Sequence, residues 1–483
     1  MPDRTAATVA GTLEAPAARL EPDAIGVAQD TVIGMASSAP AASVGLTLAA
    51  LVLATAYGSG PIIILTAIPM LIIANAYRRC NMWNANCGAS FEWVGRSISP
   101  YLGFLTGWLM IAAYIIATVS GVEVLGPSVL AVFGSNSTSI WANIGIGTAV
   151  GLIMLVIAVV GIKITARAQV AMALVEYLIF VGLAIAGLVA VLSHHAGTFH
   201  ITKGWFSLSG IGGHGSAVKG FLIAVFIFTG WDGTLYVNEE VKHRRSNPGK
   251  AAMLAVAFLA IIYTLSIVGL QGVVSPAKLQ KNSTSVLVYI AQALGGGGWA
   301  KMMALALALS VIATTGTGIV LSARIVYGMA SYRALPAFLS DVSRRFATPV
   351  AASVIVGVLI VALSAVYLLT TSVQNAFNDV VAVTGLLFAV FYILTALATM
   401  VYYRRRIVTS GRDALILGVL PAGSAGFLVW IVVKSLQIAP KPQIWSLVGI
   451  VGVGLILMLT ARFVLRSPFF QISRESDARK IAS

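Results

Sequence analysis

Twelve apolar stretches, each longer than 20 residues, restrict what this chain can fold into. A helix of that length crosses a hydrocarbon core about 30 Å thick. Each stretch is therefore long enough to span as one helix. Composition agrees: 58% of the 483 residues are hydrophobic and 10% charged, against about 25% charged in a soluble domain. A soluble enzyme, a disordered chain and a disulfide scaffold are therefore excluded. The net charge of +15 would suggest a nucleic-acid partner on a soluble surface, so its distribution along the chain has to be read first.

Cut at polar and Gly/Pro interruptions, the stretches run 24–54, 58–78, 100–132, 140–162, 168–192, 216–241, 249–274, 300–330, 347–370, 376–403, 413–436 and 443–466. The expected fold class is an all-α polytopic membrane protein with 12 transmembrane helices, both termini on one side. Seven lysines, Lys203, Lys219, Lys278, Lys281, Lys301, Lys434 and Lys441, fall in loops on the side away from the termini. The other 24 of the 31 Lys and Arg, every arginine among them, fall on the terminal side. This bias makes the terminal side cytoplasmic, and the expected location is the plasma membrane. The basic excess is thus a topology signal and an attraction to anionic lipids, with no nucleic-acid partner expected.

Residues 1–23 are rich in Ala and Pro and lack an apolar h-region, so they read as a short disordered tail rather than a signal peptide. Cys80 and Cys87 have no His or Cys partner nearby and read as free thiols. The outer loop 193–215 carries His194, His195, His200 and His214. Without ligand spacing it is expected to be solvated and to hold no metal. A second outer loop, 275–299, contains an amphipathic stretch around Val286 to Leu294.

Two spans are interrupted near their middle. The first reads DTVIGMASSAPAASVG, where Pro40 lacks an N–H and disfavours helix at Ala39, so one helix stops near Ala36 and another starts at Pro40. The sixth reads FLIAVFIFTGWDGTLYVNEE, where Gly230 and Gly233 flank Trp231 and Asp232. A break there frees carbonyls near Phe228 and Thr229. Broken backbone survives in a membrane only where it is buried in protein or lines a wet cavity. Positions one and six correspond if spans one to five (24–192) and six to ten (216–403) form a 5+5 inverted repeat. The repeat is followed by two helices in 404–466 and a tail, 467–483. Amides opening a second half-helix can receive a carboxylate, and carbonyls closing a first one an ammonium. Ser37, Ser38 and Ala39 with Phe228, Thr229, Gly230 and Asp232 are the substrate-binding candidates this gives.

The strings GASFEWVGRSISPYLGFLTGW, FTGWDGTLYVNEEVKHRRSNPGKA, LSARIVYGMASYRALPAF and FAVFYILTALATMVYYRRR give the chain a resemblance to the amino acid/polyamine/organocation transporter family, over about residues 24–466. That resemblance implies the fold of the sodium-coupled leucine transporter and a small-molecule amino acid or amine substrate. The chain departs from many relatives in having SSAP where they have a glycine-rich run. It also has Ser331, Tyr332 and Arg333 where they show an Arg-Asp-Gly string.

An ionised side chain at mid-membrane costs several kcal/mol unless paired or wet. Glu176 lies mid-span in the fifth stretch, where proton-driven relatives often carry a lysine. It reads as a proton-coupling group, a structural ion pair or a sodium ligand, with the proton preferred. Asp232 either contacts a substrate ammonium, gates with pH, or caps the second half-helix. Glu123 lines the access path or pairs with a lysine, the structural pair being preferred. Glu239, Glu240 and Arg324 form an inner-gate ion pair or, preferred here, a solvated cluster at the membrane edge. The resemblance places an aromatic gate at Phe226, for which core packing is the alternative. Thr118, Thr314, Thr315 and Thr317 supply hydroxyls for substrate, ion or neighbouring helices.

No P-loop, HExxH or zinc-ligand set occurs, so an ion gradient is the expected energy source and no cofactor is expected. The function expected is secondary active transport of amino acids, proton-coupled, by alternating access. Alternatives are an amine or polyamine carrier or exchanger of the same fold, an amino acid sensor, and a channel-like facilitator without a coupling residue.

Overall fold

The computed structural model describes residues 19–471 apart from 136, 138, 195–197, 212–215, 284, 371 and 372. Among them the only extended pairing is an isolated bridge between Ile25 and Val241; the rest of the regular structure is helical. In chain order the helices are α1 (Val27–Ser37), α2 (Pro40–Thr55), α3 (Ser59–Trp83), α4 (Ser90–Ser97), α5 (Pro100–Val132) and α6 (Ile140–Val160). There follow α7 (Ile162–Leu192), α8 (Ala217–Ile227), α9 (Asn247–Leu270), α10 (Pro276–Lys281), α11 (Val286–Ser331) and α12 (Val350–Thr370). The chain continues through α13 (Val373–Tyr402), the short α14 (Arg404–Ile407) and α15 (Gly411–Asp413), α16 (Leu420–Ile438) and α17 (Lys441–Leu459).

Eleven stretches of described residues are long and apolar enough to cross a membrane. The first, Val27–Trp83, has 57 residues, about 85 Å of helix at 1.5 Å per residue, far more than one crossing needs. It is divided at the 3-10 turn Ala56–Gly58, where Ala56 takes φ 47. The first two apolar stretches of the sequence therefore lie within it. In α11, Gly295 and Gly296 leave helical geometry, which sets off 286–294, the amphipathic stretch, from the long helix that follows. Gly296, at φ 72, adopts a conformation that glycine takes without cost.

Several spans five apart in the chain pack on one another. The third (α5) lies on the eighth (α11), the second (α3) on the seventh (α9), the fourth (α6) on the ninth (α12), and α2 on α8. This packing includes four of the five pairs that a 5+5 repeat would match, the fifth and tenth spans not being among them. It carries the first and sixth spans to the middle, so the interrupted segments are buried in protein. Small residues permit the close approach. A Cβ at Gly318 of α11 would stand 1.9 Å from the Thr118 hydroxyl of α5, and one at Gly269 of α9 would stand 2.4 Å from the Ala184 carbonyl of α7.

Candidate functional site

The first break forms where the residues dictate it. α1 ends at Ser37, Ala39 turns left-handed at φ 46 and ψ 64, and Pro40 opens α2. In the second, α8 ends at Ile227, and Gly230 takes φ 102. The sequence suggests a second α-helical half beyond this break. The chain instead makes 3-10 turns at Trp231–Leu235 and Asn238–Glu240, with backbone geometry too tight for the expected half-helix and its Asp cap.

The two breaks touch through backbone. A Cβ at Gly230 would lie 2.7 Å from the Ser37 carbonyl oxygen and 2.9 Å from the Ser38 nitrogen. One turn earlier in α1, a Cβ at Gly34 would lie 2.6 Å from Thr234 and 2.9 Å from the Trp231 carbonyl oxygen. Ser37, Ser38, Ala39, Thr229, Gly230 and Asp232 are thus assembled at one crossing. Phe228 is buried there with its ring edge-on to Tyr263. Phe226 packs on Gly385 of α13. The Thr229 hydroxyl donates to the Phe226 carbonyl at 2.7 Å.

The opening of α2 departs from the sequence expectation. Pro40 has no N–H; the Ala41 N–H donates to Glu176 Oε1 of α7 at 3.1 Å, the Ala42 N–H to Ser310 Oγ of α11 at 3.3 Å, and the Ser43 N–H to the Ala39 carbonyl at 2.7 Å. The donors expected to await a ligand carboxylate are already engaged, one of them by the protein's own carboxylate. Glu176 is 1% exposed, and its Oε2 has no hydrogen-bond partner among the described residues. On the other side of the break, the Thr314 hydroxyl lies 2.8 Å from the Ala36 carbonyl.

Asp232 sits in a cage of phenols. Its carboxylate accepts from Tyr236 of its own segment and from Tyr392 of α13 at 2.6 Å. The Tyr114 hydroxyl of α5 reaches the Gly230 carbonyl at 3.3 Å. Tyr77 of α3 stands edge-on to Tyr392 and Trp231. These tyrosines come from four segments, and no local pattern joins them; an acid within an apolar run was the one legible signal. Asp232→Asn is expected to lower stability by about 1–3 kcal/mol, since one phenol then faces an amide N–H₂ instead of an acceptor. Thermal unfolding of the purified protein reads this, and an unchanged midpoint would dismiss the cage as a structural element.

Other expectations are corrected. Glu239, Glu240 and Arg324 are not a solvated cluster. Arg324 is wholly buried and grips Glu240 through two bonds of 3.1 and 2.9 Å, while Glu239 Oε1 accepts the Cys87 N–H at 3.0 Å. The turn at 238–240 draws these charges inward, beneath α1. Glu123 accepts from the Tyr367 hydroxyl at 3.1 Å instead of pairing with a lysine. The Thr118 hydroxyl donates to the Tyr114 carbonyl at 2.7 Å and faces Gly318, the bonding within helices that is the default reading for such a hydroxyl. Thr315 and Thr317 likewise donate to carbonyls of their own helix. Cys80 and Cys87 are free and buried. His195 and His214 lie outside the described residues; His194 and His200 have rings 4.5 Å apart.

A family model described as amino acid permease matches residues 29–471. Asc-type amino acid transporter 1 of Mus musculus is 28% identical over 138 residues, which cover 29% of this chain and 26% of that protein. Cationic amino acid transporter 4, vacuolar, of Arabidopsis thaliana is 24% identical over 298 residues, 58% of this chain and 48% of that protein. The chain thus spans about a quarter to a half of the length of these curated relatives. Among solved structures, MhsT in complex with L-phenylalanine superposes with a TM-score of 0.58 at 14% identity, covering 83% of this chain and 98% of that one. The likeness bears out the fold that the sequence resemblance implies.

Proposed function

The chain belongs to the amino acid permease family, and we propose that it carries an amino acid across the membrane by alternating access, together with a proton held by Glu176. The observation that carries this reading is the Glu176 carboxylate on the Ala41 amide, at the start of α2 and beside the meeting of the two breaks. An ionised Glu176 caps α2 and is favoured by the positive end of that helix. Loading a proton removes the charge that holds it there and releases the amide to a substrate carboxylate. Proton and amino acid then enter together, because one frees the donor that the other needs. Relatives named as amino acid transporters support the substrate class. The arginine bias supports cytoplasmic termini in the plasma membrane.

A second reading is favoured by the engaged amides of α2. A substrate without a carboxylate, such as an amine or polyamine, needs no donor there and would meet Asp232 among its tyrosines.

Purified protein in liposomes, offered labelled amino acids and amines with and without a pH gradient, distinguishes the two. The first reading expects gradient-driven accumulation of an amino acid, and Glu176→Gln is expected to abolish that accumulation while leaving substrate binding. Accumulation of amines alone would establish the second reading. Unchanged gradient-driven uptake in the Gln variant would remove Glu176 from coupling, and failure of every substrate would defeat both.

A further inference from the structure

Asp30 is a buried ionisable group that no role above uses. It lies in the first turn of α1 and is 0% exposed, and neither carboxyl oxygen has a hydrogen-bond partner among the described residues. It does not cap its helix: the Gly26 N–H at that end donates to Gln29 Oε1 at 3.0 Å. Gly34, one turn on, shares its face and marks what that face meets, namely Trp231, Thr234 and Ala255.

The elements packed on α1 are α9, α7, α11 and the 231–235 turn. Their charged groups are engaged elsewhere: Glu176 with Ala41, Lys163 with Glu21, Arg324 with Glu240, Asp232 with its tyrosines. Tyr263 is turned to the Ser38 carbonyl. Arg167, Tyr177, Lys250, Tyr289, Lys301 and Tyr327 make no bond to Asp30. An ionised carboxylate without a partner in such a place costs several kcal/mol. The segment is bounded by the Ile25–Val241 bridge, which ties its start to the chain beyond the second break, and by the left-handed Ala39 beyond its end.

We propose that Asp30 is a second proton-binding carboxyl, separate from Glu176, sealed while α1 lies on α9 and the 231–235 turn and wetted when α1 leaves them. Movement of α1 away from its neighbours then admits water to Asp30 and lets its proton go on the terminal side. Ionised Asp30 in turn holds α1 off its dry seat until a proton returns. The protonated acid, not the carboxylate, is what the closed packing accommodates.

The experiment has two arms. In the first, which is independent of transport, the unmodified protein is treated with dicyclohexylcarbodiimide, an apolar reagent that adds to protonated carboxyls in membranes, and its peptides are weighed. An adduct on Asp30 that fades as pH rises is expected; no adduct at any pH overturns the proposal. The second arm rests on the proton-coupled reading and counts protons per substrate in liposomes. Asp30→Asn is expected to lower that ratio by one, with Asp30→Glu restoring it, and an unchanged ratio in the Asn variant overturns the proposal. Loss of proton coupling already in the unmodified protein would instead strike the Glu176 reading and leave the reagent arm to decide for Asp30. Should Asp30→Asn fail to fold, the reagent arm decides alone.

Discussion

Arg324→Met is expected to destabilise the protein by about 3–5 kcal/mol, because it strands the Glu240 carboxylate in a site with no access to water. Both side chains are 0% exposed, joined by two bonds, and no other cation is bonded to Glu240 among the described residues. The main chain of Glu240 also receives the Ile25 N–H at 3.1 Å, so the pair anchors the start of α1 to α11. Replacing both partners is a different experiment from replacing one. Glu240→Leu with Arg324→Met removes the stranded charge and is expected to recover most of the stability, since apolar substitutes for a buried pair are often neutral or better. Thermal unfolding in detergent measures both. A single variant as stable as the unmodified protein would show that the pair contributes no stability.

The double variant has a second use. Cys87 lies against this plate, with its N–H on Glu239 and Asn238 bonded to the Asn86 carbonyl. If the ion pair closes the terminal side, the double variant should label faster with a thiol reagent at Cys87, in a Cys80→Ser background. If it labels at the unmodified rate, the pair is structural and the closure lies elsewhere.

How much of this was legible in the sequence depends on whether the signal was local. Pro40 fixes a helix start by its own chemistry, and α2 begins there; long apolar runs fix helices because lipid leaves the backbone no other partner. The meeting of break one with break two was inferred from their matching positions, and the Gly230 contact realises it. What the residues could not show is pairing across the chain. Glu240 and Arg324 stand 84 residues apart, each near the end of an apolar run, where a charge ordinarily reaches water. Asp30 is passed over for the same reason: it stands close to the start of its run, and only the packing of Gly34 on the 231–235 turn shows that this end is dry. The Asp232 cage draws on α3, α5 and α13, and α2's free amides met Glu176 from α7 because the fold brings a carboxylate 135 residues away onto them.

The crossing itself makes the last prediction. Gly230→Ala is expected to disrupt transport severely. At φ 102 the residue is in a region that costs an L side chain about 1–2 kcal/mol. The new Cβ would also stand 2.7 to 2.9 Å from three backbone atoms of Ser37 and Ser38, none of which can swing aside as a side chain does. Overpacking of this kind adds about 1–3 kcal/mol, and the relief open to the chain is to part the two breaks. At about 1.4 kcal/mol per tenfold change, transport should fall on the order of a hundredfold. Gly296→Ala is the control that separates the two costs. It too has positive φ, 72, with ψ -163, a conformation at least as costly for an L side chain, but a Cβ there meets nothing within 4 Å, so it bears a conformational cost alone and should keep more of its transport than Gly230→Ala. Equal losses in the two variants would mean that handedness, not the contact between the breaks, sets the effect. A Gly230→Ala protein that transports normally would remove the crossing from the mechanism altogether.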